Sequence, residues 1–160
     1  MSTYHATGTK VRVMQSCDSR QAWVLDSTCH PAHELNYAEF AGMCQNEMAL
    51  VTTGPAIGGR VQILGYCLWH NHPHRSELLR IAVSPAWRWC GIGRRMLERV
   101  KMKCSPQRRS TITIQSEIRN LGANEFLSQC GFWAHGLRRV GDDELLQFRW
   151  NVMGRTDRVD

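Results

Sequence analysis

Several things are missing from this 160-residue sequence, and each absence excludes a class of protein. No apolar run approaches the roughly 18 residues that a membrane-spanning helix needs, and the first ten residues, Met1 to Lys10, lack the apolar stretch of a signal peptide. The expectation is a cytoplasmic protein without a membrane partner. Internal repeats and low-complexity linkers are also missing, so one domain over residues 1–160 is expected, with frayed tails at 1–9 and 154–160. There are seven cysteines, an odd number with no CxxC pair, and a chain of this length needs no staples. They read as reduced thiols, mostly in the core. What is present, 42% apolar and 21% charged residues, suits one globular domain and argues against disorder and coiled coil.

The charge balance is uneven. Lys and Arg number 20 against 14 Asp and Glu, and half of the cations fall between Arg75 and Arg109, where only Glu77 and Glu98 oppose them. Such an excess points to an anionic ligand. Periodicity predicts a strand at Val11–Gln15, helices at Ser19–Cys29 and Leu35–Met48, and in the second helix a buried stripe of Leu35, Ala38, Phe40, Ala41 and Cys44. Strands are expected at Ala49–Thr53, Val61–Trp69 and Glu77–Val83, the first two joined by the turn Gly54 to Gly59. After Pro85, Ile92, Met96, Leu97 and Val100 recur at helical spacing with Arg94, Arg95, Glu98, Arg99 and Lys101 facing elsewhere, and Pro106 stops that helix. A strand at Ser110–Gln115 follows. Asn120 can then cap a short helix with the stripe Ala123, Phe126, Leu127 and Cys130, which Gly131 ends. Strands at Phe132–Arg138 and Glu144–Val152 complete the chain. The order strand, helix, strand in the middle implies two parallel strands joined through the basic helix.

Between Val83 and Ile92 a strand, a tight glycine-containing loop and a helix start come in succession. A helix start offers unpaired N–H groups and partial positive charge, and glycine lets a phosphate approach the backbone. Arg88, Arg94 and Arg95 would add side-chain charge. No Gly-Lys-Ser/Thr follows, which excludes a nucleotide-hydrolysing P-loop, and the third glycine of a dinucleotide fingerprint is absent. Coenzyme A remains. Arg88-Trp89-Cys90-Gly91-Ile92-Gly93 resembles motif A of the GNAT acetyltransferase superfamily, Arg/Gln-x-x-Gly-x-Gly/Ala after a strand. Glu77 to Pro85 is similar to that superfamily's fourth strand, and Asn120-x-x-Ala123-x-x-Phe126-x-x-x-x-Gly131-Phe132 to its downstream motif. Together these span about residues 61–138, and their wording most resembles the ribosomal-protein N-terminal-alanine acetyltransferases.

The resemblance implies a mixed α/β fold: a mostly antiparallel sheet with two splayed parallel strands, flanked by about four helices. At the splay, unpaired backbone groups need partners, and a pantetheine arm supplies them. By the family's pattern Ile81, Ala82 and Val83 contact that arm, Arg88, Trp89, Cys90, Gly91, Ile92, Gly93 and Arg94 hold the pyrophosphate, and Asn120 and Phe126 contribute from the next loop and helix. The implied co-substrate is acetyl-CoA, with no metal. The implied reaction is direct attack of a primary amine through a tetrahedral intermediate, with a backbone N–H, at Val83, stabilising the oxyanion. The partner is an amine substrate, peptide or small molecule, and a homodimer is compatible with the fold.

The match departs from the alanine branch at two places. Where that branch has a glutamate base and a tyrosine acid, this chain has Gln115 and Leu127, neither of which exchanges a proton at neutral pH. Another branch uses a glutamate at the start of the fourth strand, where Glu77 stands; Glu77 is the first choice of base and Glu117 the second. A thiolate with a thiol pKa of about 8.5 leaves without full protonation, so a missing acid is tolerable. An α-amine at about 7.7–8.0 rather than lysine at about 10.4 spares roughly 3–4 kcal/mol of deprotonation at about 1.36 kcal/mol per pKa unit. The expected acceptor is therefore a protein N-terminal α-amine or a similarly acidic amine.

Blander readings stand beside these. His70, His72 and His74 alternate as metal ligands on one strand face would, yet Asn71 and Pro73 favour a loop. Trp87 and Trp89 either pack on adenine or cover apolar surface. Glu77 at a strand edge is ordinarily just solvated, and Asn120 is ordinarily a helix cap. Two other functions compete: an acyl-CoA-binding domain that has lost catalysis, given Gln115 and Leu127, and a basic nucleic-acid-binding protein, given the pI of about 9.2. No zinc-finger, helix-turn-helix or RNP-like pattern supports the latter.

Overall fold

The computed structural model describes residues 8–104 and 110–152. Among these residues the fold is mixed α/β with seven strands and four α-helices: β1 Lys10–Val13, α1 Ser19–Cys29, α2 Tyr37–Asn46, β2 Met48–Ile57, β3 Arg60–Asn71, β4 Arg75–Val83, α3 Ile92–Cys104, β5 Thr111–Glu117, α4 Leu121–Gln129, β6 Trp133–Val140 and β7 Asp143–Asn151. Among the described residues no helix is long and apolar enough to cross a membrane. The chain divides into two compact units, one holding 8–70 and 79–99, the other 71–78, 100–104 and 110–152.

In the first unit the strand order is β1-β2-β3-β4, with β1, β2 and β3 antiparallel. Its core joins Ala22 and Leu25 of α1 and Phe40 of α2 to Ala49, Val51, Ile63, Tyr66, Leu68 and Ala82 of the sheet. Phe40 meets Tyr66 edge-on at 5.4 Å between ring centroids, a favoured aromatic geometry. The predicted α1 has the observed bounds. α2 starts at Tyr37 rather than Leu35 because Asn36 caps it: its side chain accepts the Glu39 amide at 2.9 Å, and the Glu39 carboxylate accepts the Asn36 amide at 2.9 Å; it ends at Asn46, before Met48 opens β2. Leu35 thus lies outside the helix and still packs on the core beside Phe40, Met43 and Cys44, whereas Ala38, expected in the stripe, is exposed.

Two other departures are local. The turn placed at Gly54 to Gly59 is only Gly58-Gly59, with φ of 59° and 75°, so Gly54 to Ile57 belong to β2 and take up an irregular register. Positive φ at both central residues is what a tight hairpin needs, and the irregularity accommodates Pro55. β1 ends at Val13 rather than Gln15, because the Asp18 carboxylate captures the Gln15 amide at 2.7 Å and Arg12 in a two-pronged pair at 2.6 and 2.9 Å. Burial alone would raise the Asp18 pKa, but the Arg12 and Gln15 hydrogen bonds outweigh it and hold the carboxyl below its ordinary value. Its contribution to stability is therefore complete above the unfolded value of about 3.9 and is lost as pH falls through the lower folded value. Urea denaturation between pH 5 and 2 should show a shallower acid-side loss of stability for Asp18→Asn than for the parent; an unchanged slope would contradict this.

In the second unit the order is β4-β5-β7-β6. β5 pairs antiparallel with β7 and β7 with β6, while β5 is parallel to the start of β4. Asn120 caps α4 as predicted, its side chain accepting the Ala123 amide at 3.2 Å, and Gly131, at φ 87°, ends it. Lys101 departs from the outward orientation predicted for it. Its side chain is buried, with the ammonium donating to the Cys130 carbonyl at 2.6 Å and lying over the Phe132 and Trp150 rings at 5.6 and 5.1 Å. A carbonyl and two π faces replace water around the charge. The expected end of the basic helix at Pro106 lies outside the described residues, as do tail residues 1–7 and 153–160. All seven cysteines are free: Cys67, Cys104 and Cys130 are buried, Cys29, Cys44 and Cys90 partly so, and Cys17 is exposed, against the core reading. Burial raises the Cys44 thiol to about 11 and the Cys67 thiol to about 12, which keeps both protonated.

Candidate active site

The backbone of β4 decides which groups are available to a ligand. The Ser84 amide donates to the Leu64 carbonyl of β3 at 2.7 Å, and a Cβ built on Gly65 of β3 would lie 3.1 Å from the Ala82 carbonyl oxygen. Ala82 and Ser84 therefore turn their backbone groups toward β3, and by strand alternation Ile81 and Val83 present theirs to the opposite edge. Of the three residues expected on the pantetheine arm, Ile81 and Val83 thus offer their amides, while Ala82 is buried in the core and offers only its place between them. Pairing of β4 with β5 is made at Arg75, Ser76 and Glu77, although β4 continues to Val83 and β5 to Glu117.

After Val83 the chain makes one turn of 3-10 helix at Pro85–Trp87 and then a loop in which Trp89 and Gly91 adopt φ of 66° and 78°. A Cβ at Gly91 would meet nothing within 4 Å, so the residue is glycine for its backbone conformation and not for crowding within the protein. The first intrahelical bond at the start of α3 runs from the Arg95 amide to the Gly91 carbonyl at 3.0 Å. The amides of Gly91, Ile92 and Gly93 precede it, where a helix has no internal acceptors. Ile92 and Gly93 are buried, whereas Arg94 and Arg95 are exposed. Trp89 is 91% exposed. Cys90 is half-buried, with its sulfur on the Arg88 carbonyl at 3.5 Å.

Several cations counted toward an anionic ligand are engaged within the protein. Arg88 turns back onto β4, donating from Nε to the Val83 carbonyl at 3.2 Å and lying 3.5 Å from Cys29 Sγ, which itself contacts that carbonyl at 3.6 Å. Arg80 pairs with Asp26 of α1 through Nε and Nη2 at 2.7 and 2.9 Å and also donates to the His33 carbonyl at 3.0 Å. The Tyr66 hydroxyl completes the group by donating to the fully buried Asp26. Burial, and after it the Asp26 carboxylate, raises the Tyr66 pKa, so this phenol stays protonated. Between α1 and α2, His30 contacts the Ile81 carbonyl through Nε2 at 3.0 Å. Residue patterning did not single out this group, although one signal was available: Ala22, Leu25, Asp26 and Cys29 share a helix face, and a carboxylate in an apolar stripe requires a buried partner.

The expected bases and the second motif lie in the other unit. Glu77 is half-exposed and holds His72 Nε2 at 2.9 Å and Arg75 at 3.8 Å. Glu117 lies at the end of β5 beside a cavity of about 240 Å³ that Arg119, Arg139, Asp142, Asp143 and Glu144 also line. Gln115 is exposed, Leu127 is buried and Phe126 is half-buried in α4. Asn120 uses its side-chain oxygen as the α4 cap. His70 ends up on β3, bound to Glu47 at 2.6 Å, apart from the loop that carries His72 and His74. Among the described residues no three His, Cys, Asp or Glu side chains are grouped as metal ligands.

The family profile described as an acetyltransferase (GNAT) domain matches residues 54–133. No protein of curated function matches by sequence. Among solved structures, the ribosomal-protein-S18-alanine N-acetyltransferase from Escherichia coli superposes with a TM-score of 0.76 at 16% identity, over 95% of this chain and 99% of that one. A protein of Salmonella typhimurium solved with its cofactor acetyl-CoA gives 0.71 at 14% identity, over 91% and 94%. An aminoglycoside 6′-N-acetyltransferase complexed with coenzyme A gives 0.72 at 12% identity, over 92% and 99%. At such identities the likeness is one of fold, shared here by proteins named for different acceptors.

Proposed function

Because this chain belongs to the GNAT acetyltransferases, we propose that it binds acetyl-CoA at the carboxyl end of β4 and transfers the acetyl group to a primary amine, by preference the α-amine of a protein N-terminus. The observation that carries the reading is the edge of β4 turned away from β3 at Ile81 and Val83, which leads directly into the Gly91 loop and the start of α3. Extended backbone suits the amides of a pantetheine arm, and a helix start suits a diphosphate. The residues present fit that ligand: Gly91 leaves the loop open for close backbone approach, and Arg94 and Arg95 are exposed beside it. The bound thioester supplies an activated acyl group. This chain's residues hold it, orient it and accept the proton that the amine loses. Arg88 would leave the Val83 carbonyl when the arm pairs there, which frees its guanidinium for the diphosphate.

The preference for an α-amine rests on the proton arithmetic above and on the wording of the motifs, which resembles the alanine branch. Isothermal titration with acetyl-CoA should give saturable one-to-one binding. Thiol release should be faster with peptides carrying a free N-terminus than with the same peptides N-terminally blocked and offering only lysine. Absence of saturable binding would overturn the enzyme reading, and faster turnover of the blocked peptides would overturn the choice of acceptor.

A further inference from the structure

We propose that His30 is the group that takes the proton from the attacking amine. This inference rests on the proposed acetyl-CoA site and names a catalytic residue for it.

Position is the first argument. His30 caps the C-terminal end of α1, and its ring reaches the edge of β4 that Ile81 and Val83 leave unshared with β3. A thioester held along that edge, with its diphosphate at Gly91, has its acyl end on the side of the ring. Glu77 and Glu117 are less suited to the task. Glu77 is bound to His72 and Arg75, and Glu117 sits among the charges of the cavity at the β6–β7 turn.

Tautomer is the second argument. The Ile81 carbonyl can only accept, so the contact at 3.0 Å requires the proton on Nε2 and leaves the lone pair on Nδ1. No partner is seen for Nδ1 among the described residues. The surroundings keep the ring neutral. Burial is the larger influence and the Arg80 charge the next, and both lower its pKa against the opposing effects of the Ile81 bond and Asp26; His33 also lowers it. The other polar groups at this edge are Arg88 and Cys29, both directed at Val83. The support beneath the ring is rigid, since Arg80 ties the turn Pro31–His33 to buried Asp26.

The step balances. The amine nitrogen forms a bond to the acyl carbon and gives its proton to Nδ1, the C–S bond breaks, and the electron pair leaves on sulfur. The imidazolium then returns its proton to the thiolate or to water.

The test compares His30→Gln with Glu77→Gln and the parent. Glutamine keeps an N–H that can serve the Ile81 carbonyl and cannot take a proton. For His30→Gln, kcat is expected to fall by about 10²–10⁴, the usual range for general-base loss, with acetyl-CoA affinity by titration within about threefold of the parent. The limb of the parent's pH–kcat profile that rises below about pH 6.5 should disappear in His30→Gln and persist in Glu77→Gln. As a readout independent of turnover, the imidazole resonance missing from His30→Gln should titrate below about 6.5 in the parent and move on adding coenzyme A. The inference is overturned if His30→Gln binds acetyl-CoA and keeps both kcat and the acid limb, if Glu77→Gln removes that limb instead, or if the His30 resonance titrates above the ordinary histidine value. Failure of the parent to bind acetyl-CoA overturns the underlying site reading, a separate result.

Discussion

Asp26→Asn is expected to lower stability by about 3–5 kcal/mol, the usual cost of removing one side of a buried ion pair, and Tm by on the order of 10 °C for a chain of this size. Asp26 is fully buried and serves two donors, the Arg80 guanidinium and the Tyr66 hydroxyl. Neutralising it strands a guanidinium that is only 14% exposed, which the protein cannot rehydrate without opening the contact between α1 and β4. The Coulomb attraction of the intact pair is a poor guide to the size of the effect, because desolvation of both ions cancels much of it. The asymmetry between losing one partner and losing both is more informative. Arg80→Met should be nearly as damaging as Asp26→Asn, while the double variant Asp26→Leu with Arg80→Met should regain part of the loss, the rest being the buried Tyr66 hydroxyl left without its acceptor. Chemical denaturation of the four proteins measures this, and equal stability of Asp26→Asn and the parent would show that the cluster does not hold the unit together. Arg80 also binds the His33 carbonyl, so the double variant should fold well yet catalyse poorly, having lost the brace under the turn that begins at His30.

Gly91→Val is expected to abolish measurable acetyl-CoA binding, a loss of at least about 100-fold or roughly 2.8 kcal/mol at about 1.4 per tenfold, while leaving the fold in place. Two terms must be separated. The first is strain: at φ 78° any L side chain is disfavoured by about 1–2 kcal/mol whether or not a ligand is present. The second is occlusion of the space in front of the loop amides, which appears only when a ligand needs that space. Gly141→Val provides the control, because Gly141 also has positive φ, 60°, and nothing within 4 Å of a Cβ. Both variants should lose similar stability, and only Gly91→Val should lose affinity in titration. Equal loss of affinity in both would mean that the Gly91 loop is not where the diphosphate rests.

Legibility differed from region to region for physical reasons. Helix α1 and the cap of α4 could be read because they depend on local rules: apolar spacing in one case, a side-chain oxygen three residues before an orphan amide in the other. The Gly58-Gly59 turn was overextended because Pro55 reads as a breaker in sequence, yet an irregular stretch of strand tolerates it. Lys101 was placed outside because lysine on a helix face is ordinarily solvated; the carbonyl and rings that take it in come from residues 29 to 49 positions later. The basic stretch from Arg75 to Arg109 overstated the charge available to a ligand for the same reason, since the acid opposing Arg80 lies 54 residues earlier, in α1.

By itself, the sequence determined the order of the elements, the glycine loop between β4 and α3, and the family to which these belong, because each depends on residues adjacent in the chain or one helical turn apart. Only the tertiary structure decided which backbone groups of β4 face away from β3, where Arg88 rests, and that a histidine from the end of α1 sits on the Ile81 carbonyl. The contacts of β4 with β3, of Arg88 with Cys29 and of His30 with Ile81 cross tens of residues of intervening chain, and the short fold-back of Arg88 onto Val83 follows no helical or strand spacing, so no local periodicity records them.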